Sequence, residues 1–259
     1  MIKTDSSPIS KTVCITGATS GIGKACAYFF ARQGDDLILT GRRIKRLELL
    51  QKELSETFSV KVEILCFDVQ TKTEVFDNFA KFSKEKCIDI LINNAGLALG
   101  REPFDEANID DWDTMLHTNV NGLLYVTRAC LPFLYNSSLP HIINIGSTAG
   151  KEVYENGNVY CASKFAVDAI SKAMRIDLLK KAIKVTAINP GATETEFSIV
   201  RYKGDEKKAA GTYDGYQPLM PEDIAEVIGY VANLPKHISI NDLTLTSLAQ
   251  ANSFYTYKS

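Results

Sequence analysis

The chain predicts an α/β fold: one doubly wound parallel sheet of seven strands with helices on both faces. Three observations carry that prediction. From residue 12 onward short apolar runs alternate with longer helical stretches, the pattern of strands buried on both faces by crossover helices. The first apolar run is followed at once by a glycine-rich turn, TGATSGIG, with glycines at 17, 21 and 23. The 259 residues suffice for one large core, and no internal repeat, low-complexity tract or Pro/Gly/Ser-rich linker divides them. Residues 1–11, polar and carrying Pro8, read as a loose N-terminal arm, and residues 12–259 as a single domain.

The expected strands are 12–16, 36–40, 60–67, 88–92, 141–145, 184–188 and a last one near 243–245. After the first comes the glycine turn and a helix over about 22–33. Gly17, Gly21 and Gly23 let the backbone turn tightly and approach an anion, with Thr19, Ser20 and Ile22 between them, and the helix offers its free N–H groups and positive end. The spacing is Gly-x-x-x-Gly-x-Gly rather than Gly-x-Gly-x-x-Gly, so this stretch by itself reads either as a phosphate cradle or as a packing turn.

The second strand ends in Gly41-Arg42-Arg43, where an NAD enzyme of this architecture carries an acidic residue for the ribose hydroxyls. Two guanidinium groups match a 2′-phosphate in charge and fork geometry, which favours NADP. Arginines opening a solvent-facing helix are the plainer alternative. The third strand ends in Asp68-Val69, where Asp68 is placed to accept a hydrogen bond from adenine. The fourth runs into Asn93-Asn94-Ala95-Gly96, whose asparagines also suit a simple turn.

The fifth strand, HIINIGS, closes at Ser147, and a proline-free stretch from 158 to 182 predicts a helix carrying Tyr160 and Lys164. Residues four apart share a helical face, so both point the same way. A phenol is a poor base at neutral pH, and an ammonium nearby favours its ionised form. Lowering its pKa by about 2 to 3 units takes roughly 3 to 4 kcal/mol, within reach of one lysine and a cationic nicotinamide ring. Such a pair alone is often an ordinary solvated edge. Ser147, at the carboxyl end of a buried strand where ligand groups gather, lies close enough to bind the same substrate oxygen.

Between the sixth strand and the next helix lies a substrate loop over about 191–220. It contains Arg201, a cation able to grip a carboxylate with two parallel hydrogen bonds. Lys203, Lys207 and Lys208 nearby leave a charged surface loop or a subunit contact as the rival role. Pro221-Glu222-Asp223 opens a helix with proline and acids in its first turn, a structural feature. The helices expected over 112–134 and 160–180 are apolar on more than one side, more than contact with the sheet would bury, an excess that suits either a subunit contact or a crowded core.

Composition narrows the partners. A net charge of -2 offers no basic field for nucleic acid or an anionic membrane, so a small molecule is the expected partner. The six cysteines are scattered, without C-x-x-C and without close pairing to His117, His141 or His237, which argues against a metal site and a disulfide framework. With no leader pattern and no apolar run near the roughly 18 residues of a membrane span, a cytoplasmic location is expected.

The set TGATSGIG, NNAG, Asn119, Ser147 and Tyr160-x-x-x-Lys164, in this order, resembles the short-chain dehydrogenase/reductase family over nearly the whole chain. The resemblance implies a Rossmann-type strand order 3-2-1-4-5-6-7, no metal in the active site and a homotetramer built on the two long helices. It also implies roles. Tyr160 is the catalytic acid/base, Lys164 lowers its pKa and holds the nicotinamide ribose, and Ser147 orients the substrate oxygen. Asn119, set in a helix distortion, helps carry a proton relay through water to the lysine. Asn94, Ala95 and Gly96 line the cofactor, and Pro190-Gly191 with Thr195 matches the element beside the carboxamide, Thr193 being the neighbouring alternative. Within the family, NNAGLALG (93–100), HIINIGSTAG (141–150), NVYCASKFAV (158–167) and TEFSIVRYKGD (195–205) are similar to the NADP-dependent 3-hydroxy acid dehydrogenases, also described as serine or allo-threonine dehydrogenases. The implied activity is reversible NADP-linked oxidation of a short 3-hydroxy acid. A broader carbonyl or diketone reductase and a non-catalytic NADP-binding regulator are the alternatives, and retention of Asn119, Ser147, Tyr160 and Lys164 together disfavours the regulator.

Overall fold

The computed structural model describes residues 10–258. Most of the expected arm lies outside the described residues. At its end the Lys11 amide donates to Asp35 Oδ1 at 2.9 Å and the Ser10 hydroxyl to the Gly34 carbonyl at 2.9 Å.

Seven strands form one sheet: β1 Thr12–Ile15, β2 Asp36–Gly41, β3 Val62–Cys66, β4 Ile90–Asn93, β5 His141–Ile145, β6 Lys184–Pro190 and β7 Asp242–Leu245. Their order is β3-β2-β1-β4-β5-β6-β7, the order the family resemblance implies, and every pairing is parallel. Alternate strand residues face opposite sides, as the pleat requires. Val13, Ile15, Leu37, Leu39, Ile90 and Ile92 pack under α1 (Gly21–Arg32), α2 (Ile44–Phe58) and the last helix, Pro221–Ala232. Cys14, Ile38, Leu91, Ile142 and Val185 face α3 (Lys72–Phe79) and the helix Leu123–Leu134. Both faces are therefore covered, which is why the strands read as continuous apolar runs.

The structure shifts several element boundaries. β3 begins at Val62, because its first ladder partner is Leu37. The Ile88 amide donates to the Phe133 carbonyl at 3.2 Å, so Ile88 precedes the ladder and β4 starts two residues later. The helix expected over 112–134 is two helices, α4 (Ile109–Leu116) and α5 (Leu123–Leu134), joined by a π-helical turn, His117–Gly122, that holds Asn119. α6, Asn158–Asp177, stops short of residue 180. A tight turn over Leu179–Lys181 ends in Ala182 at φ 53°, a left-handed conformation that no helix continues through. The substrate loop is not structureless either: α7 (Phe197–Arg201) and α8 (Glu206–Ala210) lie within it, ahead of α9, Pro221–Ala232. α9 opens as the sequence predicts, with the Met220 amide donating back to Asp223 Oδ2 at 2.7 Å.

Candidate active site

A cleft of about 740 Å³ opens at the carboxyl ends of the strands. Parallel strands all end on this side, so the loops after β1, β2, β3, β4, β5 and β6 line it together. Every site residue predicted from the sequence lies on its wall except Gly23 and Asn119.

The floor is the glycine turn. Gly17 (φ +65°) and Gly21 (φ +51°) are left-handed, and a side chain at Gly17 would meet Asn94 Nδ2 and Ala95 Cα at 3.0 Å. Thr16 explains that proximity. Its hydroxyl accepts from the amides of Asn94 and Ala95 at 2.9 Å each, and Asn94 Nδ2 donates to the Thr16 carbonyl at 2.9 Å, so the ends of β1 and β4 are stitched together. Gly23 serves packing, because a Cβ there would stand 2.5 Å from both Asn94 Nδ2 and the Gly17 carbonyl oxygen. Asn93, the other asparagine of NNAG, is buried inside the sheet, donating to Thr127 Oγ1 and Asn144 Oδ1 at 2.9 Å. It does not line the cleft.

The second wall carries cations. Arg42 Nη1 pairs with Asp68 Oδ2 at 3.1 Å, beside Val69. Arg43 donates to Thr19 Oγ1 (2.7 Å from Nη2) and to Ser20 Oγ at 2.9 Å, and pairs with Glu196 Oε2 at 2.9 Å. Ser20, at the N-cap position of α1, gives no side-chain cap to its own helix. The free helix N-terminus, two left-handed glycines and a bank of arginines fit a phosphorylated dinucleotide. Arg46 and Glu196, paired at 2.8 Å, were not singled out from the sequence. Arg46 stands one helical turn beyond Arg43, and that spacing was the available signal.

At the far end, Tyr160 and Lys164 project from α6 and both are buried. Ser147, just past the end of β5, stands near enough to Tyr160 to lower its pKa, and its Oγ accepts from the Ala149 amide at 3.1 Å. Lys164 Nζ donates to the Ile145 carbonyl at 2.9 Å. Asn119 sits behind the cleft: Nδ2 donates to the Leu97 carbonyl (2.8 Å) and Ser163 Oγ (3.0 Å), and Oδ1 accepts from the Leu97 amide at 2.8 Å. A Cβ on Gly96 would lie 3.2 Å from Asn119 Oδ1 and 3.6 Å from Lys164 Nζ, so Gly96, Asn119 and Lys164 form one cluster.

Burial, with Tyr154 alongside, raises the Tyr160 pKa well above the ordinary phenol value, while Ser147 and Arg201 pull it down. Burial also brings Lys164 from 10.5 down to about 8. Helical spacing gives the proximity of the two groups but not the cost of removing both from water, which dominates here.

Around the phenol lies a group the sequence reading only half found. Arg201 ends α7, its guanidinium 5.5 Å from the Tyr160 ring and 5.6 Å from that of Tyr154, with Nη1 donating to Tyr154 Oη at 2.9 Å. Its Nε donates to the Gly100 carbonyl at 3.2 Å, which settles it into the cleft wall and away from open surface. Tyr154, Arg101 (5.8 Å from the Tyr154 ring) and Phe197 (5.6 Å from the Tyr160 ring) were missed, since none belongs to a spaced motif. The C-terminal tail closes this end. Gln250 Oε1 accepts from the Ala192 amide at 2.8 Å, the Ser253 amide donates to Glu152 at 3.0 Å, and Lys258 reaches the wall beside Tyr216. Of the two neighbouring threonines, Thr195 lies against Gly21, which a Cβ would bring to 3.2 Å, whereas Thr193 turns its hydroxyl to the Gly191 carbonyl at 3.1 Å, just past Pro190.

Among the described residues no cluster of His, Cys, Asp and Glu is placed to hold a metal ion, and no helix is long and apolar enough to cross a membrane. The family model for short chain dehydrogenase matches residues 11–205. The chain is 45% identical to the NADP-dependent 3-hydroxy acid dehydrogenase YdfG of Escherichia coli K12 over 241 residues, 92% of this chain and 96% of that protein. It is 41% identical to sulfoacetaldehyde reductase 2 of Chromohalobacter salexigens over 249 residues, 95% of this chain and 98% of that one. Among solved structures, the closed form of serine dehydrogenase complexed with NADP+ superposes with a TM-score of 0.87 at 43% identity, covering 96% of this chain and 99% of the other.

Proposed function

The chain belongs to the short chain dehydrogenase family, and from that premise we propose that Asn119, Ser147, Tyr160 and Lys164 carry its reaction. The reaction is the NADP-dependent interconversion of the hydroxyl of a short 3-hydroxy acid and the corresponding carbonyl. NADP, when bound, supplies the hydride acceptor and a cationic ring.

In the oxidative direction Ser147 holds the substrate oxygen and Tyr160 Oη takes the hydroxyl proton. Burial alone makes the phenolate costly, and Ser147 and Arg201 offset part of that cost. Lys164, fixed by the Ile145 carbonyl, is aimed at the ribose, with Asn119 behind it as the route for the proton towards solvent. Gly17, Thr19, Ser20, Gly21 and Ile22 cradle the pyrophosphate. Arg42 and Arg43 take the 2′-phosphate, Asp68 and Val69 border the adenine, and Asn94, Ala95 and Gly96 border the ribose. Pro190, Gly191 and Thr195 face the carboxamide, Thr195 being favoured over Thr193 by its place against Gly21.

The observation that carries the substrate assignment is Arg201, a cation beside the reacting phenol with a tyrosine hydroxyl already on one of its nitrogens. A carboxylate two carbons from the reacting hydroxyl finds its partner there. Arg201→Ala should cut kcat/KM for serine, allo-threonine, 3-hydroxyisobutyrate and 3-hydroxypropionate by roughly ten- to a hundredfold, the loss of a charge-assisted hydrogen bond. A neutral alcohol of similar size should lose little; parallel losses on acid and alcohol would reduce Arg201 to shaping the loop. Because the similar sulfoacetaldehyde reductase is named for a sulfonated substrate, 2-hydroxyethanesulfonate belongs in the same panel.

We further assign the protein to the cytoplasm, in keeping with six free cysteines, and to a homotetramer built on α5 and α6. Residues 12–259 form its one domain, with 191–220 as the substrate loop.

A further inference from the structure

We propose that Glu196 is a positioning residue: it latches the substrate loop across the cofactor cleft onto Arg43 and Arg46, and so governs how long a bound dinucleotide is held. The inference rests on reading the cleft as the NADP site.

Glu196 stands at the N-cap position of α7, immediately after Thr195, and so belongs to the mobile side of any closure over substrate. Its two oxygens are divided between two guanidiniums of the opposite wall, Oε2 to Arg43 Nη1 at 2.9 Å and Oε1 to Arg46 Nη1 at 2.8 Å. Arg43 is itself held by Thr19 and Ser20. One chain of charged contacts therefore runs from the glycine turn, through Arg43, to the loop that carries Arg201. Partial burial works against the Glu196 carboxylate, yet Arg43 and Arg46 hold its pKa below the usual range, so it is ionised at neutral pH.

The loop's other ties go elsewhere. Lys203 pairs with Asp111 of α4 at 2.7 Å, the Gly100 amide donates to the Arg201 carbonyl at 2.9 Å, and Tyr213 Oη donates to the Thr193 carbonyl at 2.8 Å. Among the described residues, the loop's ion pairs to the wall built by α1 and α2 all run through Glu196. A dinucleotide lying on the glycine turn cannot leave past a loop pinned to that wall until these pairs part. Arg46, unlike Arg43, does not line the cleft, which makes it the cleaner partner for a test.

The experiment follows NADPH release by stopped-flow fluorescence in wild type, Glu196→Gln, Arg46→Met and the double variant, with hydrogen exchange of residues 197–213 in the NADPH complex. Each single variant should release NADPH roughly two- to tenfold faster, the range for half-exposed ion pairs. The double variant should be no faster than Glu196→Gln, which already loses both pairs, while Arg46→Met, which loses one, should show the smaller gain. Exchange over 197–213 should rise in each. Unchanged release and exchange in Glu196→Gln overturn the latch. So does slower release, which would mean that the carboxylate competes with the 2′-phosphate for Arg43. A wild-type protein that binds no NADPH overturns the cofactor reading itself, and the latch with it.

Discussion

Lys164 shows what a single residue of this site costs the fold. Its pKa lies near 8 in the folded chain, below the 10.5 it has when solvated. The unfolded chain therefore binds more protons between those values, and stability rises with pH through that window. Below pH 8 the whole penalty stands, about 2.5 units or roughly 3 kcal/mol, offset in part by the bond to the Ile145 carbonyl. Lys164→Met should accordingly melt higher than wild type at pH 7, by about 1 to 2 kcal/mol after that lost bond, while abolishing turnover. A lower melting temperature would mean that the ammonium is not desolvated. Tyr160→Phe should lower turnover by roughly 10² to 10⁴-fold with NADPH binding intact, the contribution of a positioned acid/base. The positions of both residues were legible because their spacing is helical. Their energetics were not, because the surroundings of the phenol include Phe197 and Arg201, which α7 brings in from beyond β6.

Elements were legible in proportion to how far their sequence decides them alone. β5 reads as a strand because HIINI is apolar throughout, and its bounds were right. The ends of β3 and β4 depend on their ladder partners, and the π-helical turn around Asn119 leaves no mark in local propensity. β5 and β6 also hold an acid-sensitive joint. His141, buried opposite Lys184 in the ladder, shares a 2.8 Å hydrogen bond with Thr186 Oγ1, which itself donates to the Ile240 carbonyl at 2.6 Å. The ring must therefore donate from Nε2, and its Nδ1 has no partner. Burial, then Lys184 and Lys11, lower its pKa from 6.5 to about 3. The unfolded chain takes the proton first, so stability is complete above pH 6.5 and is lost as pH falls towards 3. At pH 5 the loss is about 2 kcal/mol. Unfolding free energies from urea titrations at pH 7 and pH 5 should differ less in His141→Gln by about that amount; equal acid losses in the two proteins would contradict a buried neutral imidazole.

At the scale of the whole molecule, the apolar surface left on the two long helices is the feature that asks for a partner. Leu124 and Phe165 are 40% exposed and Ile176 75%, and Leu179 in the turn after α6 is 73% exposed, more than a solvated helix face usually carries. Light scattering should give four times the chain mass, and Ile176→Asp should yield smaller species; a wild-type monomer at micromolar concentration would refute the assembly. The sequence pointed to this excess but could not say which residues face outward, since that depends on how α5 and α6 settle on the sheet. The cleft has a different kind of reach. Its wall runs from Gly17 of the first turn to Lys258 in the tail, and strands adjacent in space, β1 and β4, are far apart in the chain. A chain synthesised only as far as β6 would carry the cradle residues but lack the Gln250 and Ser253 contacts that close the cleft. Enclosure of the coenzyme therefore waits on a part of the wall that is made last.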